Sequence, residues 1–300
     1  MIIIKRKILP LIIAALMLSS CAHIPMGDES SVSNSVSDTS TLVITTPSDL
    51  PTSGDASAVV SEQSGVIGEE SETSEPVSEP APVEYEYEID IAPYLKYICP
   101  DDADEYALLV NYDHRLTGEY IPGDLKETDW TRKDRDKIKL RENCVMALDA
   151  FLKEAALNGV TDVSVTSGYR SYSYQKWLFA YYVEQHQSKF ATREECEEYV
   201  MTFSCREGCS EHQTGLALDM HNLPAADEAF ADTASYAWLS ANAHRFGFIL
   251  RFPKGKEDIT GISYEPWHYR FVGREAATII YENNLTLEEY VEIYYPSSAD

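Results

Sequence analysis

Apolar residues recur along this chain with two different periods, and the switches between them mark its elements. Residues 141–157 place Val145, Leu148, Leu152 and Ala155 three and four positions apart, which predicts an amphipathic helix stopped near Asn158-Gly159. Residues 162–166 alternate polar and apolar, as a half-buried strand does. A turn at residues 171–174 leads into a predicted helix carrying Trp177, Tyr181 and Tyr182. Thr192 followed by Glu195 is a capping-box signature for the start of another. Residues 215–220 alternate in the strand manner, directing Leu216 and Leu218 to one face and Ala217 and Asp219 to the other. Beyond them, residues 236–246 read as a helix, 248–252 and 267–272 as strands, and 273–282 and 287–294 as closing helices. Helices and strands mix without a regular βαβ repeat. The expected fold is therefore α+β, a single domain over residues 89–300 with a mostly antiparallel central sheet flanked by helices.

The first 88 residues follow neither period. Lys5-Arg6-Lys7 precede a short apolar run from Ile8 to Leu18, which closes on Ser19, Ser20 and Cys21. The run is too short for a membrane span and reads as a secretory signal over residues 1–20. Leu18-Ser19-Ser20-Cys21 also resembles the bacterial lipobox, in which the cysteine is lipidated. The expectation is an exported protein anchored in the cell membrane through Cys21 and facing the cell wall. Residues 21–88 are Ser, Thr, Glu and Pro with little aromatic content, and should form a disordered, self-repelling spacer. Residues 22–88 hold 14 carboxylates and no cation, about half of the net charge of -26, and the remainder is still acidic. That charge argues against nucleic acid as a partner. The chain is expected to act as a monomer.

The chemistry is concentrated in two short stretches, Ser210-Glu211-His212-Gln213-Thr214-Gly215-Leu216-Ala217-Leu218-Asp219 and Glu265-Pro266-Trp267-His268. A catalytic zinc site takes three ligands from His, Asp or Glu and leaves a position for water, which a nearby unligated carboxylate can deprotonate. His212, Asp219 and His268 would bind one Zn2+, and Glu265 would be the base. Gly215 permits a turn between His212 and the strand carrying Asp219. Pro266 disfavours a helix at Glu265, placing that residue in a turn entering the strand of His268. Arg170 offers a planar fork of donors suited to a peptide's terminal carboxylate or to a developing oxyanion. His221 is a rival ligand, two residues beyond Asp219 on the same strand face. His114, His186 and His244 lack partner spacing and read as structural or exposed.

Ser-x-His-x-x-Gly-x-Ala-x-Asp followed by Glu-x-Trp-His resembles the signature of the VanY-type D-alanyl-D-alanine carboxypeptidases. The resemblance continues through Leu109-Val110-Asn111, through residues 120–125, and through Ser167-Gly168-Tyr169-Arg170-Ser171 with Gln175. It implies zinc bound by His212, Asp219 and His268, and Glu265 as catalytic base. It also implies a substrate pocket using Arg170, Gln175 and Ser210, and Tyr169 and Trp267, next to these motif residues, are further substrate-binding candidates. The implied activity is removal of the terminal D-alanine from peptidoglycan stem peptides. L,D-carboxypeptidase or endopeptidase action on the same wall peptides remains open, because subsite shape depends on loops such as residues 222–234 and 253–263.

Other readings compete on particular residues. Ser173-Tyr174-Gln175-Lys176 and Ser240-Ala241-Asn242 match fragments of the serine penicillin-binding pattern, but no Lys-Thr-Gly follows. A wall-binding module without turnover would have no need of Glu265. Beyond Cys21 the chain has Cys99, Cys144, Cys196, Cys205 and Cys209, an odd number, so at least one thiol stays unpaired within the chain. A local disulfide of Cys205 with Cys209, or with Cys196, is expected ahead of a Cys-Cys-His structural zinc site using His212. Tyr169, Tyr172 and Tyr174 read as half-buried packing more readily than as a groove wall.

Overall fold

A computed structural model describes residues 85–296. The signal, Cys21 and nearly all of the spacer lie outside the described residues. Two helical turns, α1 (Leu95–Ile98) and α2 (Ala103–Tyr106), lead to a small antiparallel pair, β1 (Leu125–Glu127) and β2 (Lys139–Arg141). Then follow α3 (Glu142–Leu157), β3 (Ser164–Ser167), α4 (Tyr172–His186), α5 (Arg193–Met201) and β4 (Ala217–His221). The remainder is α6 (Ala234–Asn242), β5 (Phe248–Leu250), α7 (Glu257–Thr260), β6 (His268–Phe271), α8 (Arg274–Glu282) and α9 (Leu287–Tyr294).

The main sheet runs β3-β4-β6-β5 with every neighbouring pair antiparallel, which is the α+β architecture expected from the sequence. Alternation in β4 sends Leu218 and Met220, with Leu216 just before the strand, into a core shared with Tyr269 and Phe271 of β6 and with Leu148, Phe151 and Leu152 of α3. Phe151 stacks on Phe246 and Phe248 at ring separations of 5.2 and 5.8 Å. Burying each of these side chains contributes about 1.5–3 kcal/mol. The opposite face of β4 is thereby left to Ala217, Asp219 and His221, and the chemistry sits there.

Local signals explain most element ends. Thr192 and Glu195 form the reciprocal capping box at α5, and Ser171 Oγ accepts from Tyr174 N–H at the start of α4. The helix expected over residues 236–246 stops at Asn242 and tightens into a 3-10 turn, Ala243–Phe246, closed by Gly247 at φ 85°. The strand expected over 248–252 ends at Leu250, although Arg251 N–H still donates to His268 C=O at 3.2 Å. The sequence reading missed β1 and β2, because three residues are too few to show a period. Among the described residues no helix is long and apolar enough to cross a membrane.

Candidate active site

His212 stands on a 3-10 turn, Glu211–Thr214, between Ser210 and β4. The turn leaves through Gly215, whose φ of 70° belongs to the left-handed region. A Cβ there would lie 2.9 Å from Leu125 Cδ2 and 3.1 Å from Arg141 Cγ, so β1 and β2 close against the backbone where only glycine fits. Asp219 is directly opposite His268 in the β4–β6 register. On its other side Asp219 pairs with Ser167, just past a bulge in β3, and the bulge puts the Gly168 carbonyl within reach of His212.

These placements bring the three expected ligands together. Ligand atoms of His212, Asp219 and His268 all lie within 4.8 Å of one another, the one such three-residue group of His, Cys, Asp or Glu found among the described residues. His212 Nε2 is 3.5 Å from Asp219 Oδ2, and His268 Nδ1 is 3.3 Å from Asp219 Oδ1. The imidazoles meet edge to face, with centroids 4.9 Å apart. His212 Nδ1 bonds Gly168 C=O at 2.7 Å, an arrangement that assigns the proton to Nδ1 and leaves the Nε2 lone pair aimed inward. His212 Nε2 and Asp219 Oδ1 are buried without hydrogen-bond partners. With His268 these two orphaned atoms make three ligand residues, the donor set of a tetrahedral metal with one position left over.

The electrostatics fit a cation. Burial lowers the proton affinity of His212, and Arg170 adds to the effect, so its pKa falls to about 4 and the imidazole is neutral. Burial opposes ionisation of Asp219, but the two histidines outweigh it and hold the carboxyl well below the usual range. His268 behaves oppositely. Burial would lower it, yet Asp219, Glu211 and Glu265 draw a proton onto it. Three carboxylates that attract a proton also attract a divalent ion, which displaces that proton on binding.

Glu265 is buried in the turn before β6, its backbone held by Phe252 C=O and by His268 N–H. Its Oε2 lies 3.4 Å from His268 Nδ1, close to the ligand atoms yet outside the three-ligand group. Burial raises its pKa, partly offset by His268 and Arg170. Arg170 Nη2 faces Ser210 Oγ at 3.5 Å. Arg170, Ser210, His212, Glu265 and His268 share the wall of one narrow cavity of about 30 Å³ with Phe252 and Ile262. A larger cleft of about 310 Å³ beside β5 holds none of these groups.

The other expected site residues are placed differently. Gln175 is buried below the cavity wall and donates from Nε2 to Cys205 C=O at 2.7 Å. Tyr169 and Trp267 do not line the cavity, and Trp267 packs against the main core. His221 points to Phe230 and stands outside the ligand group. Lys176 is paired with Glu207 at 3.8 Å on the exposed face of α4, and Ser173 Oγ bonds Ser171 Oγ, so Ser173 and Lys176 form no catalytic pair. The expected local disulfide is not formed: all five thiols are free, with Cys144 in the main core and Cys196 in a separate cluster beside α5. Cys205 and Cys209 line the cavity without joining a metal group.

One residue with a clear role was not singled out in the sequence. Glu211 is 3% exposed, and its Oε1 accepts from Arg251 Nε at 2.7 Å and Arg270 Nη1 at 2.8 Å. Its Oε2 lies 3.5 Å from His268 Nε2, an ion-pair distance that sets a negative charge behind the imidazole whose Nδ1 faces Asp219. Burial disfavours its charge, and the two guanidinium groups more than reverse this, holding Glu211 ionised. Arg251 continues the chain to Glu288 of α9 at 2.8 and 2.6 Å. The only available signal was its place next to His212.

A neutral-imidazole and carboxylate ligand set beside a spare buried carboxylate defines a metal-dependent hydrolase. A family model described as VanY, D-alanyl-D-alanine carboxypeptidase, matches residues 137–274. A D-alanyl-D-alanine carboxypeptidase of Enterococcus faecalis is 37% identical over 192 residues, covering 63% of this chain and 67% of that protein. The chain spans about two thirds of the length of the curated relatives it matches first. Among solved structures, the LdcB LD-carboxypeptidase is similar at TM-score 0.56 and 40% identity, over 63% of this chain and 86% of that one. The vancomycin-resistance D,D-pentapeptidase VanY of a VanB-type cassette, solved with Zn(II), is similar at TM-score 0.54 and 34% identity, over 62% of this chain and 99% of that one. The chain belongs to the VanY D-alanyl-D-alanine carboxypeptidase family, and zinc is the metal its ligand set fits.

Proposed function

We propose that this chain is an exported, lipid-anchored zinc D,D-carboxypeptidase that removes the terminal D-alanine from peptidoglycan stem peptides. The observation that carries the reading is Glu265, a buried carboxylate 3.4 Å from a ligand histidine and outside the ligand group. His212, Asp219 and His268 would hold the zinc, which would supply Lewis acidity toward the scissile carbonyl and water. Glu265 accepts the proton of the attacking water and returns it to the departing amine, a role that its burial-raised proton affinity suits. Arg170 and Ser210, on the same cavity wall, orient the C-terminal residue through its carboxylate or hold the developing negative charge.

Export and anchoring rest on the basic-apolar-small pattern ending at Cys21 and on the acidic spacer behind it. A second reading, L,D-carboxypeptidase action on tetrapeptide stems, is favoured by the likeness to the LdcB LD-carboxypeptidase. Incubation with defined tri-, tetra- and pentapeptide stems, with and without a chelator, followed by mass measurement of the products, tests both. Chelator-sensitive release of D-alanine from the pentapeptide alone supports the D,D reading. Release from the tetrapeptide alone replaces it with the L,D one, and no release from any stem overturns both.

A further inference from the structure

Helix α4 carries aromatic rings that the core does not use. Gln175, Phe179 and Val183 fill its buried face, while Tyr174 and Trp177 are 48% and 51% exposed. The Tyr174 and Trp177 rings lie 5.6 Å apart, and those of Trp177 and Tyr181 also 5.6 Å apart and within 22° of parallel. Tyr174, Trp177 and Tyr181 fall on one stripe of the helix, and the row runs about 10 Å along its axis. Large aromatic faces held side by side in water add little to stability, and contiguous exposed apolar patches mark interaction sites. The helix that carries the row begins next to a cavity residue: α4 is capped by Ser171, and the residue before the cap is Arg170.

The chemistry of the row selects its ligand. A flat π face carries partial negative charge and favours a flat partner with weakly positive C–H bonds on its face and polar groups at its rim. Sugar rings have this form: axial C–H bonds point from the ring face, while hydroxyl and acetamido groups stay at the edge in water. A chain with a net charge of -26 disfavours anionic polymers and anionic lipid surfaces, and the one cation flanked by these rings, Lys176, is already 3.8 Å from Glu207. An uncharged saccharide chain meets both conditions. We propose that Tyr174, Trp177 and Tyr181 form a platform for the N-acetylated glycan strand that carries the stem peptides, holding it beside the cavity while a peptide enters. The identity of the strand rests on the proposed action on wall peptides.

The test uses the full chain as wild type, Trp177→Ala, Tyr181→Ala and Trp177→Phe, with thermal melts confirming that each is folded. Retention on an uncharged N-acetylglucosamine polymer and turnover of a soluble pentapeptide stem are measured separately. Trp177→Ala is expected to weaken retention at least about tenfold and Tyr181→Ala by less, while Trp177→Phe keeps most of it. Soluble pentapeptide turnover should stay within about twofold for all three, since none of these side chains lines the cavity. An N-acetylglucosamine oligosaccharide should also shift the tryptophan fluorescence of wild type but not of Trp177→Phe. Unchanged retention in Trp177→Ala, a parallel loss of soluble-peptide turnover, or equal Trp177-dependent capture by anionic vesicles would each overturn the platform. If no soluble stem is turned over while Trp177-dependent retention persists, the platform stands and the peptidase reading falls.

Discussion

Replacing Glu211 with Gln keeps the shape of the ligand turn and removes one buried negative charge. In the native protein that charge faces two guanidinium groups, Arg251 Nε at 2.7 Å and Arg270 Nη1 at 2.8 Å, and a ligand imidazole nitrogen at 3.5 Å. Breaking a buried ion pair by removing one partner costs about 3–5 kcal/mol. Arg251 keeps Glu288, and Arg270 keeps the carbonyls of Tyr106 and Leu108, so the expected loss is at the lower end, about 3 kcal/mol. For a domain of this size that is a fall of about 6–12 °C in Tm, within the usual stability margin, so the variant folds. The second effect is on the metal. An amide holds His268 Nε2–H less firmly than a carboxylate and makes the ligand less basic, so zinc affinity should fall about 10–100-fold. Melting of the metal-free protein reads the first effect, and competition against a chromogenic chelator at fixed pH reads the second. A variant that melts with wild type and competes for zinc within about twofold of it would show that Glu211 neither neutralises the arginines nor positions His268.

Three further outcomes are expected. Glu265→Gln should retain zinc and lose about 10²–10⁴-fold in turnover; a variant losing metal instead would make Glu265 a ligand. Gly215→Ala forces a Cβ to 2.9 Å from Leu125 at φ 70° and should cost at least about 1 kcal/mol in denaturant unfolding, which an unchanged midpoint would contradict. His244, 8% exposed and stacked on Tyr281 at 3.9 Å, has its pKa lowered to about 4, chiefly by burial and further by Arg245. Its folded value lies below the unfolded one of about 6.5, so its contribution is complete above that pH and is lost as pH falls through 4, by at most about 3 kcal/mol. Stability measured between pH 7 and 4 should therefore fall more steeply in wild type than in His244→Gln, and parallel curves would reject the assignment.

The ligand set was legible because each member sits in a local pattern with a mechanical reason. Gly215 frees the turn after His212, the alternation of β4 aims Asp219 away from the core, and Pro266 sets the entry to His268. Periodicity likewise gave the longer helices and β3, β4 and β6, whereas the four-residue helices α1, α2 and α7 were too short to show a face. What stayed hidden depends on contacts between distant segments. Arg251 and Arg270 look like surface charges in the sequence, and only the fold buries them on Glu211. Gln175 resembles a substrate contact, and the fold engages its Nε2 with the Cys205 carbonyl while Oε1 has no partner. The thiols could not be assigned from spacing either, because burial in separate clusters decides which of them meet.

Glu288 ties α9 to Arg251, and through Glu211 to His268. On a ribosome the sheet and all three metal-binding side chains emerge before that helix does. A growing chain halted short of it would own every ligand and Glu211, and would leave Arg251 without its second carboxylate. Loosening α9 would therefore slacken the clamp behind His268 while every metal-binding side chain stays in place.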